Sequence, residues 1–175
     1  NFICHSEWHY NELIKQLNLS KDKQGQLKWF EYPTKDISLD DGYIDNFNKK
    51  FNFLYLGLLK PNKGVFEYLK AIKIVIETGV KNINFYLIGA SYGISFKEIN
   101  DFILINNLEK NIIFKNEFVT EKEKKEFYKV CNYAIVPYSV NYAGGAGALK
   151  EAISYGRPVL SSSLKQFEML ADKSN

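Results

Sequence analysis

The sequence predicts a parallel α/β fold, a sheet covered by helices on both faces, and three observations carry that expectation. From residue 53 onward, short runs rich in β-branched and aromatic residues alternate with longer stretches of helical period, the pattern of stacked βαβ units. A chain of 175 residues with 46% hydrophobic and 25% charged content can bury one full core and part of a second. Two glycine-rich segments each follow a strand and lead into a helix, which is where open parallel sheets bind ligands.

The opening third reads differently from the rest. A strand ends near Cys4, a helix carries Tyr10, Leu13, Ile14 and Leu17 on one face, and a second strand covers 27–31. Residues 1–33 are expected to be the tail of a preceding α/β domain. The stretch 34–50, polar and aperiodic around Asp40-Asp41-Gly42, suits a linker, and 51–175 forms the main domain. Because the chain starts inside an apolar stretch without a methionine and stops just after Glu168-Met169-Leu170, it is expected to be a piece of a longer protein.

In the main domain the strands are expected at 53–56, 83–88, 111–114, 133–136 and 158–160. Val65, Tyr68, Leu69, Ile72, Val75 and Ile76 recur at helical spacing, with Glu67, Lys70, Lys73 and Glu77 opposite. Phe96, Ile99, Phe102 and Ile103 mark a second helix. Thr120 with Glu123 forms a capping box for a third that buries Phe127, Tyr128 and Cys131. A fourth is expected over 145–155, burying Leu149, Ala152 and Ile153. Gly156-Arg157-Pro158 stops it, since glycine accepts a left-handed cap and proline disfavours a helical residue before it.

Composition excludes several functions. The net charge of +3 is carried almost wholly by lysine, with Arg157 the only arginine, which argues against a nucleic-acid partner. Cys4 and Cys131 match neither a disulfide framework nor a metal-ligand spacing, so a reducing, cytoplasmic setting is expected. No apolar run reaches the roughly 20 residues of a membrane span. His5 and His9 lie at helical i, i+4 spacing but lack a third ligand, and the lysine and glutamate run 121–129 reads as a solvated face.

The chemistry is expected at the two loops. The first, Gly57-Leu58-Leu59-Lys60-Pro61-Asn62-Lys63-Gly64, has glycine at each end for close backbone approach and a lysine near a helix start, a setting that suits a diphosphate. It is neither a P-loop nor Gly-x-Gly-x-x-Gly. The second runs from Pro137-Tyr138 through Ala143-Gly144-Gly145-Ala146-Gly147 into a helix bearing Glu151, whose small residues leave the first amides uncovered. If the strands at 53 and 133 are neighbours, both loops open on one crevice.

These segments, in this order, resemble the carboxy-terminal donor-binding domain of retaining glycosyltransferases of the family 4 type, built from two facing Rossmann-like domains (the GT-B fold). Residues 53–64 resemble the family's strand followed by Gly-Arg-Leu-x-x-x-Lys-Gly, and 86–89 its strand ending in glycine. Residues 111–119 and 132–138 resemble the base-contacting strand and the segment ending in Pro-Ser, and 145–162 the phosphate helix followed by Gly-x-Pro-Val-x-x-Ser. The opening Cys4-His5-Ser6-Glu7, with 13–19 behind it, is similar to the end of the family's acceptor domain.

The resemblance implies roles. Lys63 would neutralise the donor diphosphate and the amides near Gly144, Gly145, Ala146 and Gly147 would hold it. Glu151 would accept from the ribose. Glu117, Phe118 and Val119 would border the base, Gly57 and Gly89 would let the donor lie close, and Tyr138 would join the donor-binding residues. Two family residues are replaced: the loop arginine is Leu58, with Lys60 a partial substitute, and the first glutamate of Glu-x7-Glu is Ala143. The implied activity is sugar transfer with retention from a UDP- or GDP-linked donor to a glycan or lipid-linked acceptor in cell-surface polysaccharide synthesis. No cofactor or metal is implied, and peripheral membrane association would come through the preceding domain. A nucleotide- or partner-binding relative without activity is the alternative, prompted by Leu58 and Ala143. A nucleotide-sugar epimerase ranks last, because the loops lack an acid and base pair.

Overall fold

A computed structural model describes residues 2–4, 7–30, 50–145 and 147–173. The chain runs β1 (Phe2–Cys4), α1 (Glu7–Gln16), α2 (Lys21–Gln24), β2 (Leu27–Trp29), β3 (Phe51–Leu56), α3 (Val65–Glu77), β4 (Ile83–Ile88), α4 (Phe96–Ile105), β5 (Ile112–Lys115), α5 (Glu121–Val130), β6 (Tyr133–Val136), α6 (Gly147–Ser154), β7 (Val159–Ser161) and α7 (Lys165–Lys173). A short 3-10 turn, Pro61–Lys63, precedes α3. Strands β3 to β7 form one parallel sheet in the order β5-β4-β3-β6-β7, while β1 and β2 make a separate parallel pair.

The sheet is buried on both faces, as a Rossmann-like sheet requires. Alternate residues of β3 and β4 sort between two cores. Tyr55, Phe85 and Leu87 pack with Val65, Leu69 and Ile72 of α3 and Ile99 and Ile103 of α4. Leu54 and Ile88 pack on the other face with Tyr128 of α5 and Ala152 of α6. A third cluster joins Val136, Tyr138 and Leu149 to Leu164 and Phe167. The period-2 strands and the helical stripe of α3 thus meet as their patterns require. Both Ser95 with Glu98 and Thr120 with Glu123 close capping boxes at the starts of α4 and α5.

Several expectations shift. β3 begins at Phe51 because the polar side chain of Asn52 is satisfied in place: Asn132 Oδ1 accepts from its backbone N–H, its own Nδ2 donates to the Val130 carbonyl, and its Oδ1 accepts from Asn84. β5 and β7 each lie one residue later than expected, and β2 is described only to Trp29. Phe96 is half exposed, stacking on Phe114. α6 starts at Gly147, not 145, and its Ile153 faces solvent at 47% exposure; Tyr155 is buried instead, stacked on Tyr128 at 4.3 Å. Leu17 lies beyond the end of α1 and is exposed. The helix α7 was not foreseen; Phe167, with Leu164 just before the helix, seats it in the third cluster, and the buried Gln166 ties it to the Tyr142 carbonyl. The linker expected at 34–50 falls, except for Lys50, outside the described residues.

Two predictions follow from this framework. Gly64 has φ +69°, and a Cβ there would sit 1.7 Å from the Pro137 carbonyl oxygen, whereas Gly79 has φ +78° and open space. Gly79→Ala is expected to cost about 1–2 kcal/mol from left-handed strain, and Gly64→Ala a further ~1–3 kcal/mol from overpacking. Equal losses in denaturant unfolding would show that the Pro137 segment yields freely. Separately, hydrogen bonds from Lys115, then from the Thr120 backbone and hydroxyl, hold the Glu123 carboxyl down to about 2. A depressed carboxylate contributes stability above its unfolded pKa and loses it as pH falls through about 2. Glu123→Gln is therefore expected to lower the melting temperature at neutral pH and to leave it unchanged at the acid end of that window.

Candidate functional site

β3 and β6 are hydrogen-bonded neighbours, yet the chain steps from β3 outward through β4 to β5 before returning to β6 on the other side. The strand order reverses between them, so the loops leaving their carboxyl ends diverge over a crevice, the usual ligand position in open α/β sheets. The loops are tied together. Ser139 N–H donates to the Asn62 carbonyl at 3.1 Å, and Gly64 packs on Pro137. The Tyr55 hydroxyl, buried beneath, is within 3.3 Å of the carbonyls of Leu58 and Lys63.

Beyond β3, β4 and β5 the backbone keeps sheet-like spacing for a few more residues. Gly57 N–H donates to Ile88 and Gly89 N–H to Lys115. A Cβ on Gly89 would fall 1.8 Å from the Gly57 carbonyl oxygen, so glycine at 89 is required by the close approach of the two loops. Gly57 itself faces open space. These loop ends enclose a cleft of about 150 Å³. It is lined by the expected Gly57, Leu58, Gly89, Glu117, Phe118, Val119 and Glu151, and also by Leu56, Ala90 and Lys124. Phe118 holds its ring at the mouth, 79% exposed. Glu117 pairs with Lys115 at 3.0 Å.

Lys63 does not line this cleft. It lies beside it, its ammonium 5.1 Å from the Tyr138 ring centre and 6.0 Å from that of Tyr142, with no carboxylate partner among the described residues. Burial, then the nearby Lys60 charge, lowers its pKa. Lys60 turns the other way, 4.4 Å over the ring of Tyr92. A cation held against aromatic faces without a counter-ion is poised for an anionic guest.

The glycine-rich turn is anchored from outside the cleft. The Tyr142 hydroxyl donates to the Gly145 carbonyl at 3.1 Å, and the Gln166 amide donates to the Tyr142 carbonyl. The Ala143 carbonyl lies 2.6 Å from His9 Nε2 on α1. A Cβ on Gly144 would meet the Tyr142 hydroxyl at 2.3 Å, so a side chain there would push the Tyr142 ring aside. Ala146 is outside the described residues, and Gly147 opens α6.

Of the three lining residues not expected from the sequence, Leu56, Ala90 and Lys124, only Lys124 is charged. Its ammonium donates to Glu151 Oε1 at 2.6 Å and to Glu121 at 2.9 Å, and its side chain is only 19% exposed. The signal was present: Lys124 falls three, four and seven residues before Phe127, Tyr128 and Cys131, on the buried stripe of α5 and not on its solvated face. Both cysteines are free and buried, and burial, against the opposing Arg157 charge, pushes Cys131 up to about 12. Among the described residues no group of three His, Cys, Asp or Glu side chains could hold a metal, and no helix is long and apolar enough to cross a membrane.

Solved structures share this architecture. WaaG, a glycosyltransferase involved in lipopolysaccharide biosynthesis, matches with a TM-score of 0.70 at 14% identity over 98% of this chain and 47% of its own. TarM of S. aureus, solved with fondaparinux, α-GlcNAc-glycerol and UDP, matches at 0.69 and 14% over 93% and 30%. Sucrose-phosphate synthase from Thermosynechococcus elongatus matches at 0.68 and 18% over 95% and 41%. The chain thus spans less than half the length of each, and at these identities the likeness is one of fold. No curated protein matches the sequence. The family model described as glycosyl transferases group 1 matches residues 50–175, and the chain belongs to that family.

Proposed function

We propose that the chain is the donor-binding part of a retaining glycosyltransferase of the family 4 type, using a UDP- or GDP-linked sugar and a glycan or lipid-linked acceptor. The observation that carries this reading is the pairing of a cleft of about 150 Å³ at the loop ends with an uncompensated lysine on the adjoining loop, at the point where the sheet order reverses. In this reading the base lies along Glu117, Phe118 and Val119, the ribose reaches Glu151, and the diphosphate turns out of the cleft toward Lys63 and the amides near Gly144 and Gly147. UDP bound to TarM, a protein of the same fold, supports the donor class.

The reaction is chiefly electrostatic. As the glycosidic bond breaks, negative charge grows on the departing diphosphate, and Lys63 with the helix amides stabilises it in place of a metal ion. Groups that bind the acceptor belong to the preceding domain, of which residues 1–33 are the tail, so turnover requires the full-length protein. Its place of action is the cytoplasm, with the preceding domain resting on the membrane surface where the acceptor is lipid-linked.

A second reading, a binding relative without turnover, is favoured by Leu58, which lines the cleft without charge, and by Ala143, whose carbonyl meets His9 instead of presenting a carboxylate. Donor hydrolysis or transfer by the full-length protein separates the two. Any turnover above background removes the second reading.

Lys63→Ala is expected to weaken UDP or GDP binding about ten- to a hundredfold, the worth of one charged hydrogen bond. The pH dependence has a definite sign. A lysine with a lowered pKa sheds its charge at lower pH than an exposed one, and a bound diphosphate favours the charged form. Affinity should therefore be full below the depressed Lys63 pKa and fall as pH rises through it. Lys63→Arg, which stays charged, should abolish that alkaline decline in calorimetric titrations. A decline that persists in the arginine variant would assign it to another group.

A further inference from the structure

We propose that Lys124 is a positioning residue for ribose recognition: its ammonium ties one oxygen of Glu151 and leaves the other to read the nucleotide sugar. This rests on the donor-site reading above and adds to it a residue at which the chain sets its preference for ribose over deoxyribose.

A carboxylate in this cleft carries a desolvation cost. Glu151 projects from α6 into a cleft with apolar walls at Leu56, Leu58 and Val119, and its side chain is about one-third exposed. A carboxylate in such a place is raised in energy unless a cation or donor offsets the lost hydration. Lys124, from the facing helix α5, supplies that offset at 2.6 Å. Burial pulls the Lys124 pKa down, but hydrogen bonds to Glu151 and Glu121 outweigh it, so the ammonium stays charged.

Geometry then divides the work. Lys124 engages Oε1 of Glu151, while Oε2 accepts no hydrogen bond from the described residues. Glu121, in the first turn of α5, holds the same ammonium from the other side, so Lys124 cannot swing away without losing a second partner. A long side chain on an α-helix samples many rotamers when free; fixed between two carboxylates it becomes part of the wall. The free Oε2 is thereby offered in one direction, and a single directed acceptor distinguishes a hydroxyl from a hydrogen more sharply than a rotating one.

The test compares affinities of the full-length protein for UDP and GDP with those for their 2′-deoxy and 3′-deoxy counterparts, in wild type, Lys124→Met, Lys124→Arg, Glu151→Gln and the Lys124→Met/Glu151→Gln double variant. Thermal unfolding establishes that each is folded. Lys124→Met should lower the ribose preference by about fivefold or more in the wild-type background and leave it unchanged in the Glu151→Gln background, since coupled residues are non-additive. Lys124→Arg should restore most of the preference. Affinity for inorganic pyrophosphate should be the same in all five, because Lys63 is untouched. A ribose preference unaffected by Lys124→Met, or reduced equally in both backgrounds, would overturn the role of Lys124 while leaving the donor site standing. Absence of UDP and GDP binding by the wild type would overturn both.

Discussion

The crevice depends on one close approach, that of Gly64 to the Pro137 carbonyl. A left-handed residue without a side chain lets the turn after β3 lie directly on the end of β6. From that contact follow the hydrogen bond between Ser139 and Asn62, the stacking of Lys63 on Tyr138, and the fixed distance between the two loops. A second approach of the same kind, Gly89 onto Gly57, sets the opposite wall of the cleft. Glycine at 64 and 89 therefore serves the site by letting protein pack on protein. Gly57, Gly145 and Gly147 have open space where a side chain would be and leave the backbone accessible to a guest.

The core beneath holds this arrangement still. β3 is the central strand, and its successive residues Leu54 and Tyr55 anchor opposite cores, so a shift of β3 would disturb both at once. Tyr55 also carries the rigidity upward: its ring stacks on Tyr68, and its hydroxyl reaches the two loop carbonyls. Burial, then the neighbouring Tyr138 and Tyr142, raises its pKa far above the ordinary phenol value, so it is a neutral donor at neutral pH. The loop after β3 is thus pinned by an uncharged group.

Much of this was legible in the sequence, for reasons that can be located. β4 and β6 matched their expected bounds because period-2 apolar runs bounded by polar residues leave little freedom, and α3 matched because its buried stripe is unbroken. The meeting of the two loops was conditional on β3 and β6 being neighbours, and the strand order meets that condition. What escaped was decided by tertiary pairing. Asn52 looks like a strand breaker until Asn84 and Asn132 are found beside it. Ile153 and Tyr155 exchange roles because the stack with Tyr128 buries more surface than an aliphatic side chain at 153 could. Lys124 was hidden by composition: within a run of lysines and glutamates its charge suggested solvent, and only its phase relative to Tyr128 and Cys131 pointed inward.

The two cleft-side lysines end up in opposite electrostatic situations, and that contrast is informative about how the site is built. Lys124 is compensated twice, by Glu151 and Glu121, and its pKa is raised; it has no charge to spare for a ligand anion. Lys63 is compensated by aromatic faces alone, and its pKa is lowered. A diphosphate arriving at the crevice meets one satisfied cation and one unsatisfied one, and only the second gains by the encounter. In the proposed reading, an unsatisfied lysine that does not line the cleft would orient the donor, drawing its anionic end toward the loops while its neutral end stays between Val119 and Glu151. Leu58, where the resemblance places an arginine, fits the same reading, because a second free cation inside the cleft would compete with Lys63 for the phosphates and with Lys124 for Glu151.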